Sequence, residues 1–388
     1  MVGLLLVAAA GAAAQDLRLP PLPLADRRGH ELNDWLQLKP YVRVGAHYTD
    51  NLFQQRSARR RGDTVYALTP GLDARAGDDD VWAEVGYAPT VLVFHHEGGL
   101  STVEHRLRYI GHAKVGALEL DSSGAATWAL FNSDPQFTGR VRNFQGSVNL
   151  DAAYGFDEVW GARASAFAVE ARNFPDALEP TNTQEWGTSA LLTAAPNVGP
   201  ALSLRAGATF REVHYLDLRA RQPDLSLAGA VAGAKLELEE LLRLEALGGV
   251  EFPWVKKRNG VARGVNPDPA PILNLTAALF PVRGAELLLA VRHRLAAAAA
   301  AAWQRSTTAS AALALELPAD LGLRLVASGT LLAPHRAAEI RVQSYQAILT
   351  WSPWEHLELG AQGGYTRQSA RGGGFEALSV GAAITLSL

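Results

Sequence analysis

The sequence predicts an all-β fold: a transmembrane, antiparallel, up-and-down β-barrel of about 18 strands. Three observations lead there. From Leu38 onward apolar and polar residues alternate with period two, in segments that recur roughly every 20 residues. The connections between segments alternate between short and long. Tryptophans gather beside both kinds of connection, as in the two aromatic girdles of a membrane barrel.

The chain begins "MVGLLLVAAAGAAAQ", an apolar run that reaches Ala12-Ala13-Ala14 before Gln15. That is the small-residue cleavage pattern of a secretory signal peptide, here without its basic leading region, and it is assigned to residues 1–14. A Pro-rich periplasmic segment, residues 15–37, follows with "LRLPPLPLADRRG", and the barrel is assigned to 38–388. Beyond the first segment no apolar run reaches the ~18 residues that a membrane-spanning helix needs.

The first strands show the alternation clearly. In "KPYVRVGAHYTD", Val42, Val44, Ala46 and Tyr48 share one face, and Tyr41, Arg43, Gly45 and His47 the other. "YALTPGLDARA" sets Tyr66, Leu68, Pro70, Leu72 and Ala74 against Thr69, Gly71, Asp73 and Arg75. "RLRYIGHAKVGA" sets Leu107, Tyr109, Ala113 and Val115 against Arg106, Arg108, His112 and Lys114. "FQGSVNLDAAY" sets Phe144, Val148, Leu150, Ala152 and Tyr154 against Gln145, Ser147, Asn149 and Asp151. Further strands are expected at 81–94, 125–132, 159–172, 184–195, 201–215, 225–236, 241–252, 272–280, 285–295, 306–317, 322–333, 340–351, 357–369 and 375–388. "KLELEELLRLEALGG" from Lys235 is rich in helix formers, but its neighbours make it a hairpin turning near Glu239-Glu240.

Compact connections such as "GDDD", "GFDE", "NVGP", "PVRG", "PADL" and "SPWEH" read as periplasmic turns. Longer ones, including "NLFQQRSARRRG", "HHEGGLSTVE" and "PWVKKRNGVARGVNPDPA", read as external loops. Trp82, Trp160, Trp351 and Trp354 lie beside short turns, and Trp186, Trp254 and Trp303 near long loops. A soluble sandwich also alternates, but the two tryptophan levels favour the membrane. In hydrocarbon every backbone amide must be paired, and a closed sheet achieves that without an edge.

The balance of charge limits what the chain can do. With formal net charge -3, the cluster Arg56, Arg59, Arg60 and Arg61 is an external loop facing charged lipopolysaccharide rather than a nucleic-acid-binding arm. There is no cysteine, so disulfides, thiolate metal sites and cysteine nucleophiles are excluded. His95, His96, Glu97 and His105 sit near one loop as candidate metal ligands, without the fixed spacing of a metal motif. Asp78, Asp79 and Asp80 read as a solvated turn rather than a divalent-ion site. No nucleophile elbow or phosphate loop stands out, so neither a catalytic site, a metal nor a cofactor is assigned.

"YTDNLF", then "DTVYALTPGLDARA" and "EVGYAPTVLVFHH", resemble the opening hairpins of the beta-barrel porin 2 family of outer-membrane proteins, most clearly over Tyr41 to Ile110. The resemblance implies an outer-membrane barrel of a Gram-negative bacterium, associated with export of an exopolysaccharide alongside periplasmic and inner-membrane partners. Asp50, Asn51, Thr69, Pro70 and Gly71 carry the motif and read as strand-end and turn determinants.

With the polar face turned inward, the candidate lumen residues are Arg43, Arg75, Arg106, Arg108, Lys114, Arg163, Arg205, Arg211, Lys235, Arg243, Arg292, Arg294 and Arg324. Opposing acids are fewer: Asp73, Glu84, Asp151, Glu245, Glu251 and Glu358. An arginine-rich pore draws anions, and guanidinium forks suit carboxylate, sulfate or phosphate. The same arginines can instead pair with lumenal acids and stiffen the wall. Three functions follow: a conduit for a polysaccharide chain, acidic in the arginine reading; a general or anion-preferring porin for small solutes; and, resting only on the histidines, a barrel enzyme.

Overall fold

Period-two sequence becomes period-two structure over almost the whole chain. The computed structural model describes residues 30–33, 35–52, 61–131, 141–174, 182–195, 202–216, 224–238, 241–256, 268–296, 303–334, 338–370 and 373–387. The assigned signal peptide, most of the Pro-rich segment, and Arg56, Arg59 and Arg60 lie outside them.

A short strand β1 (His30–Asn33) precedes the barrel strands β2 (Leu36–Thr49), β3 (Asp63–Gly77), β4 (Val81–Phe94), β5 (Thr102–Val115), β6 (Leu118–Phe131) and β7 (Val141–Gly155). The middle of the barrel is formed by β8 (Trp160–Phe174), β9 (Thr183–Ala194), β10 (Leu202–Tyr215), β11 (Asp224–Leu238), β12 (Leu242–Lys256) and β13 (Ala270–Val282). It is completed by β14 (Ala285–Ala296), β15 (Gln304–Leu317), β16 (Leu321–Pro334), β17 (Ile340–Trp354), β18 (Leu357–Ala370) and β19 (Phe375–Ser387). Each strand pairs antiparallel with its neighbours in sequence, and β19 returns to pair with β2, closing an 18-strand barrel. β1 adds a hairpin leg beside Leu36–Leu38 of β2. The helix-forming stretch from Lys235 is the β11–β12 hairpin, with Leu236 opposite Leu244 and Leu238 opposite Leu242.

Which face points inward follows from contacts between strands that are not neighbours. Arg211 on β10 bonds Glu251 on β12, and Gln362 on β18 contacts His47 on β2 at 3.3 Å. Side chains of non-adjacent strands converge only on the concave side of a closed sheet. The opposite register carries Val44, Tyr66, Leu68, Tyr87, Leu107, Val148, Leu150, Leu192, Phe252, Tyr345, Val380 and Ile384, all exposed. Large apolar side chains on the convex face of nearly every strand form the lipid-contacting belt. Val148 stands in the middle of β7 and is 59 % exposed. Arginine there should destabilise the barrel by about 2–4 kcal/mol, whereas arginine at its inward neighbour Asn149 should cost much less, by urea unfolding in lipid vesicles.

The girdles are partly as expected. Trp160, Trp351, Trp354, Trp186 and Trp254 are exposed, and Trp128 joins them by packing against Phe144 and Phe174, with ring centroids 6.4 and 5.1 Å apart. Two tryptophans differ. Trp82 turns inward and carries the Arg75 guanidinium 4.6 Å from its ring centroid. Trp303 packs against an inner apolar cluster. Nearness to a turn sets a tryptophan's height along the strand, but only the register decides its face.

The motif Thr69-Pro70-Gly71 also departs from its expected role as a turn, because it lies in the middle of β3. The β3–β4 ladder is interrupted between Leu68↔Val91 and Leu72↔Tyr87, where each strand carries a proline, Pro70 and Pro89, that lacks an N–H. Across the gap Thr69 and Thr90 hydrogen-bond at 2.9 Å. Gly71 faces Tyr41 of β2, whose ring occupies the space a Cβ would need. An aromatic side chain laid over a strand glycine restores the packing the glycine lacks.

At the short-turn end, Asp78 Oδ1 accepts the N–H groups of Asp80 and Val81, and Asp157 Oδ1 those of Val159 and Trp160. The acidic "GDDD" run thereby sets a turn in the way expected of aspartate. Donation by Trp160 and Val159 holds the Asp157 carboxyl below the usual carboxylate range. The β15–β16 turn is less well suited to its sequence: Ala319 and Asp320 have φ of 63° and 55°, a left-handed conformation that alanine resists. Ala319→Asn should raise stability by about 0.5–1 kcal/mol, read as a higher urea midpoint.

Among the described residues the buried apolar side chains do not form one central core. Two apolar clusters pack at the external ends of strands: Leu52, Val65, Leu92, Phe94 and Leu130 on one side, and Val213, Leu225, Leu227, Ala270 and Leu295 on another. Asn51 anchors the first, its side-chain amide donating to the Glu376 carbonyl at 2.7 Å.

Candidate functional site: the lumen wall

The pairing register of β2 to β16 places Arg43, Arg75, Arg106, Arg108, Lys114, Arg163, Arg205, Arg211, Lys235, Arg243, Arg292, Arg294 and Arg324 at inward positions. Many are tied to carboxylates. Arg108 Nη2 donates to Asp73 Oδ1 at 2.7 Å and lies 3.8 Å from Glu84; Arg163 Nε meets Asp151 Oδ1 at 2.7 Å; Arg205 Nη1 meets Glu245 Oε1 at 2.8 Å. Lys114 reaches Glu119 at 3.9 Å, Lys235 reaches Glu237 at 2.9 Å, and Arg243 lies 3.9 Å from the same Glu237. Apart from Lys235–Glu237, which lies within β11, these pairs cross one or two strands and brace the wall.

The acids on this face include several that the sequence reading left out: Asp63, Glu104, Glu119, Asp121, Glu185, Glu237, Glu286 and Glu316. With these included, inward carboxylates balance inward cations among the described residues, which therefore show no general arginine excess of the kind read from the sequence. Glu185 gave little signal, since one glutamate in "TQEWGTSALLTA" does not reveal its partners on other strands.

The most buried arginine among the described residues is Arg211. Its Nη2 donates to Glu251 Oε1 at 2.8 Å and to the Leu295 carbonyl at 2.7 Å, and its Nη1 to Glu185 Oε1 at 2.9 Å. Glu251 Oε2 in turn accepts the Leu295 N–H at 3.3 Å. One guanidinium thus ties β9, β10, β12 and β14 together above the second apolar cluster. Arg294 Nη1 approaches Glu185 at 3.6 Å, while Arg292 has no carboxylate within ion-pair distance among the described residues. Three guanidiniums therefore share two carboxylates. Charge left over in this way is local, near the external end of β14.

The candidate histidine cluster does not come together. His105 faces outward, with Nδ1 2.9 Å from the Tyr87 hydroxyl, while His96 bonds Asp63 at 3.2 Å and Glu97 lies 3.6 Å from Arg61. No metal-ligating group is formed among the described residues. Asp63 instead secures the β4–β5 loop by accepting the N–H groups of His96 at 3.0 Å and Glu97 at 2.9 Å.

Charge is distributed unevenly around the wall. β3 to β14 carry the inward ion pairs named above. From β15 to β18 the central and external inward positions are neutral, with Ser306, Thr308, Ser310, Ser328, Thr330, Ser344, Gln346, Gln362 and Thr366.

No family model matches the chain, and neither does any curated protein. Among solved structures it is similar to a BenF-like porin from Pseudomonas fluorescens, at 11 % identity over 90 % of this chain and 99 % of that one, with TM-score 0.47. It is also similar to the outer-membrane protein opdK from Pseudomonas aeruginosa, at 10 % identity over 90 % of this chain and 99 % of that one, TM-score 0.46. The FrpB iron transporter from Neisseria meningitidis matches at 10 % identity over 87 % of this chain and 62 % of that one, TM-score 0.46. Likeness of this extent carries no inference about what the chain transports. The assignment to membrane barrels rests on the closed 18-strand sheet and its apolar convex face.

Proposed function

We propose that the protein is a passive channel in the outer membrane of a Gram-negative bacterium that admits small solutes and prefers anions. The observation that carries this is the group of three guanidiniums, Arg211, Arg292 and Arg294, against two carboxylates, Glu185 and Glu251, on the lumen wall. A barrel of ~18 strands encloses an aqueous channel rather than a side-chain-filled core, and fixed charge inside a confined channel selects ions of opposite sign. The reading is non-enzymatic.

Polysaccharide export, the role implied by the resemblance, draws on the quoted segments alone. Within them Thr69, Pro70 and Gly71 serve the wall between β2 and β4. Small-solute passage is therefore the better supported reading. The test is conductance of the purified protein in a planar bilayer across a potassium chloride gradient. A reversal potential displaced toward that of chloride is expected. Absence of conductance would overturn the channel, and displacement toward potassium would overturn its preference.

A further inference from the structure

The uneven wall bears on which anions would pass. Arg292 stands directly opposite Thr308 across the β14–β15 ladder, and Arg294 directly opposite Ser306. From that junction a row of hydroxyls continues away from the charge, with Thr308 opposite Thr330 on β16. One inward position closer to the short-turn end, a second row runs along Ser310, Ser328 and Ser344, each opposite the next on consecutive strands, and ends against the buried Thr366, 2 % exposed. Successive members of a row are one strand spacing apart, about 4.8 Å.

These hydroxyls hold each other loosely. Thr308 and Thr330 are 3.3 Å apart and Ser344 and Thr366 3.4 Å, against 2.7 Å for Ser165 and Ser189 elsewhere on the wall. A hydroxyl hydrogen bond is normally near 2.7–2.8 Å, and each hydroxyl offers one donor and two acceptor sites. A passing hydroxylated molecule could take over such bonds at little cost, replacing the water it sheds.

We infer that the β14–β18 side of the lumen is a path for polyhydroxylated carboxylates, of the chemical class of sugar acids. The carboxylate pairs with Arg292 and Arg294, and the hydroxyls of the same molecule exchange hydrogen bonds along the serine and threonine rows. A purely ionic wall would favour any small anion equally, and a purely hydroxylated wall would favour neutral sugars. The contiguity of the two selects molecules that carry both groups. This inference rests on the channel reading above.

The test uses bi-ionic reversal potentials of the full-length protein in planar bilayers, with gluconate as the probe and butanesulfonate as an anion without hydroxyls. Gluconate should permeate better than butanesulfonate despite its larger size. In the variant Ser310→Ala/Ser328→Ala/Ser344→Ala the gluconate-to-butanesulfonate permeability ratio should fall about fivefold, the equivalent of one hydrogen bond of ~1 kcal/mol. Thr308→Val/Thr330→Val removes the other row and serves as the second variant should the triple fail to assemble. An anion-selective channel with equal or lower gluconate permeability, or a ratio unmoved by either variant, would overturn the inference and leave the channel standing. A protein without conductance would overturn the channel itself.

Discussion

Arg211→Leu should lower the stability of the barrel by about 3–5 kcal/mol, the largest single-residue loss expected on the lumen wall. Its side chain is 7 % exposed and that of Glu251 4 %, so removing the guanidinium strands the Glu251 carboxylate with little water to solvate it, while Glu185 keeps Arg294 at 3.6 Å. The Leu295 carbonyl also loses its 2.7 Å donor. Thermal loss of the folded species, followed by the heat-dependent mobility shift on electrophoresis, is a direct measurement. Arg211→Leu/Glu251→Gln should recover most of the loss, because it removes the orphaned charge along with its partner. A neutral single variant, or a double variant as unstable as the single, would show that the group does not brace the wall.

Arg292→Gln/Arg294→Gln should reduce the chloride-to-potassium permeability ratio by about threefold or more in dilute salt, with a smaller change in molar salt, where screening falls to ~3 Å. The substitution reverses the local imbalance, leaving Arg211 alone with Glu185 and Glu251. Glutamine keeps much of the length and hydrogen-bonding capacity of arginine, so a change in ion preference without loss of assembly reads charge alone. Equal reduction at all salt concentrations would indicate a steric effect instead, and an unchanged ratio would remove these arginines from the selectivity of the channel.

The strand pattern was legible in the sequence because a lipid belt outside and water inside impose the same period on every strand. "KPYVRVGAHYTD" and "RLRYIGHAKVGA" sort onto two faces without help from any other residue. Even the helix-forming stretch from Lys235 was legible as a hairpin, since the β strands on either side leave it no room to be a helix. Partnership was not legible. Arg211 belongs to Glu251, 40 residues away, and to the Leu295 carbonyl, 84 residues away, and no local spacing encodes either. Trp82 and Thr69-Pro70-Gly71 were misread for a related reason. A tryptophan near a turn and a Pro-Gly pair have strong local meanings, and here the pairing register and the ring of Tyr41 overrule them. The hydroxyl rows are invisible in one dimension because Ser310, Ser328, Ser344 and Thr366 align only after four strands are set side by side.

Closure of the barrel has a consequence for biogenesis. The joint that seals it lays Tyr41 to Thr49 against Ser379 to Ser387, and Asn51 reaches the Glu376 carbonyl across 325 residues of chain. Until β19 is made, β2 has one edge with no barrel neighbour, an open template for unwanted pairing. The wall cannot close strand by strand as the chain emerges, so the unsealed polypeptide must be escorted to its bilayer with its apolar face still uncovered. Assembly is therefore a race between ring closure and aggregation, and substitutions along Tyr41–Thr49 or Ser379–Ser387 should act first on yield and only then on transport.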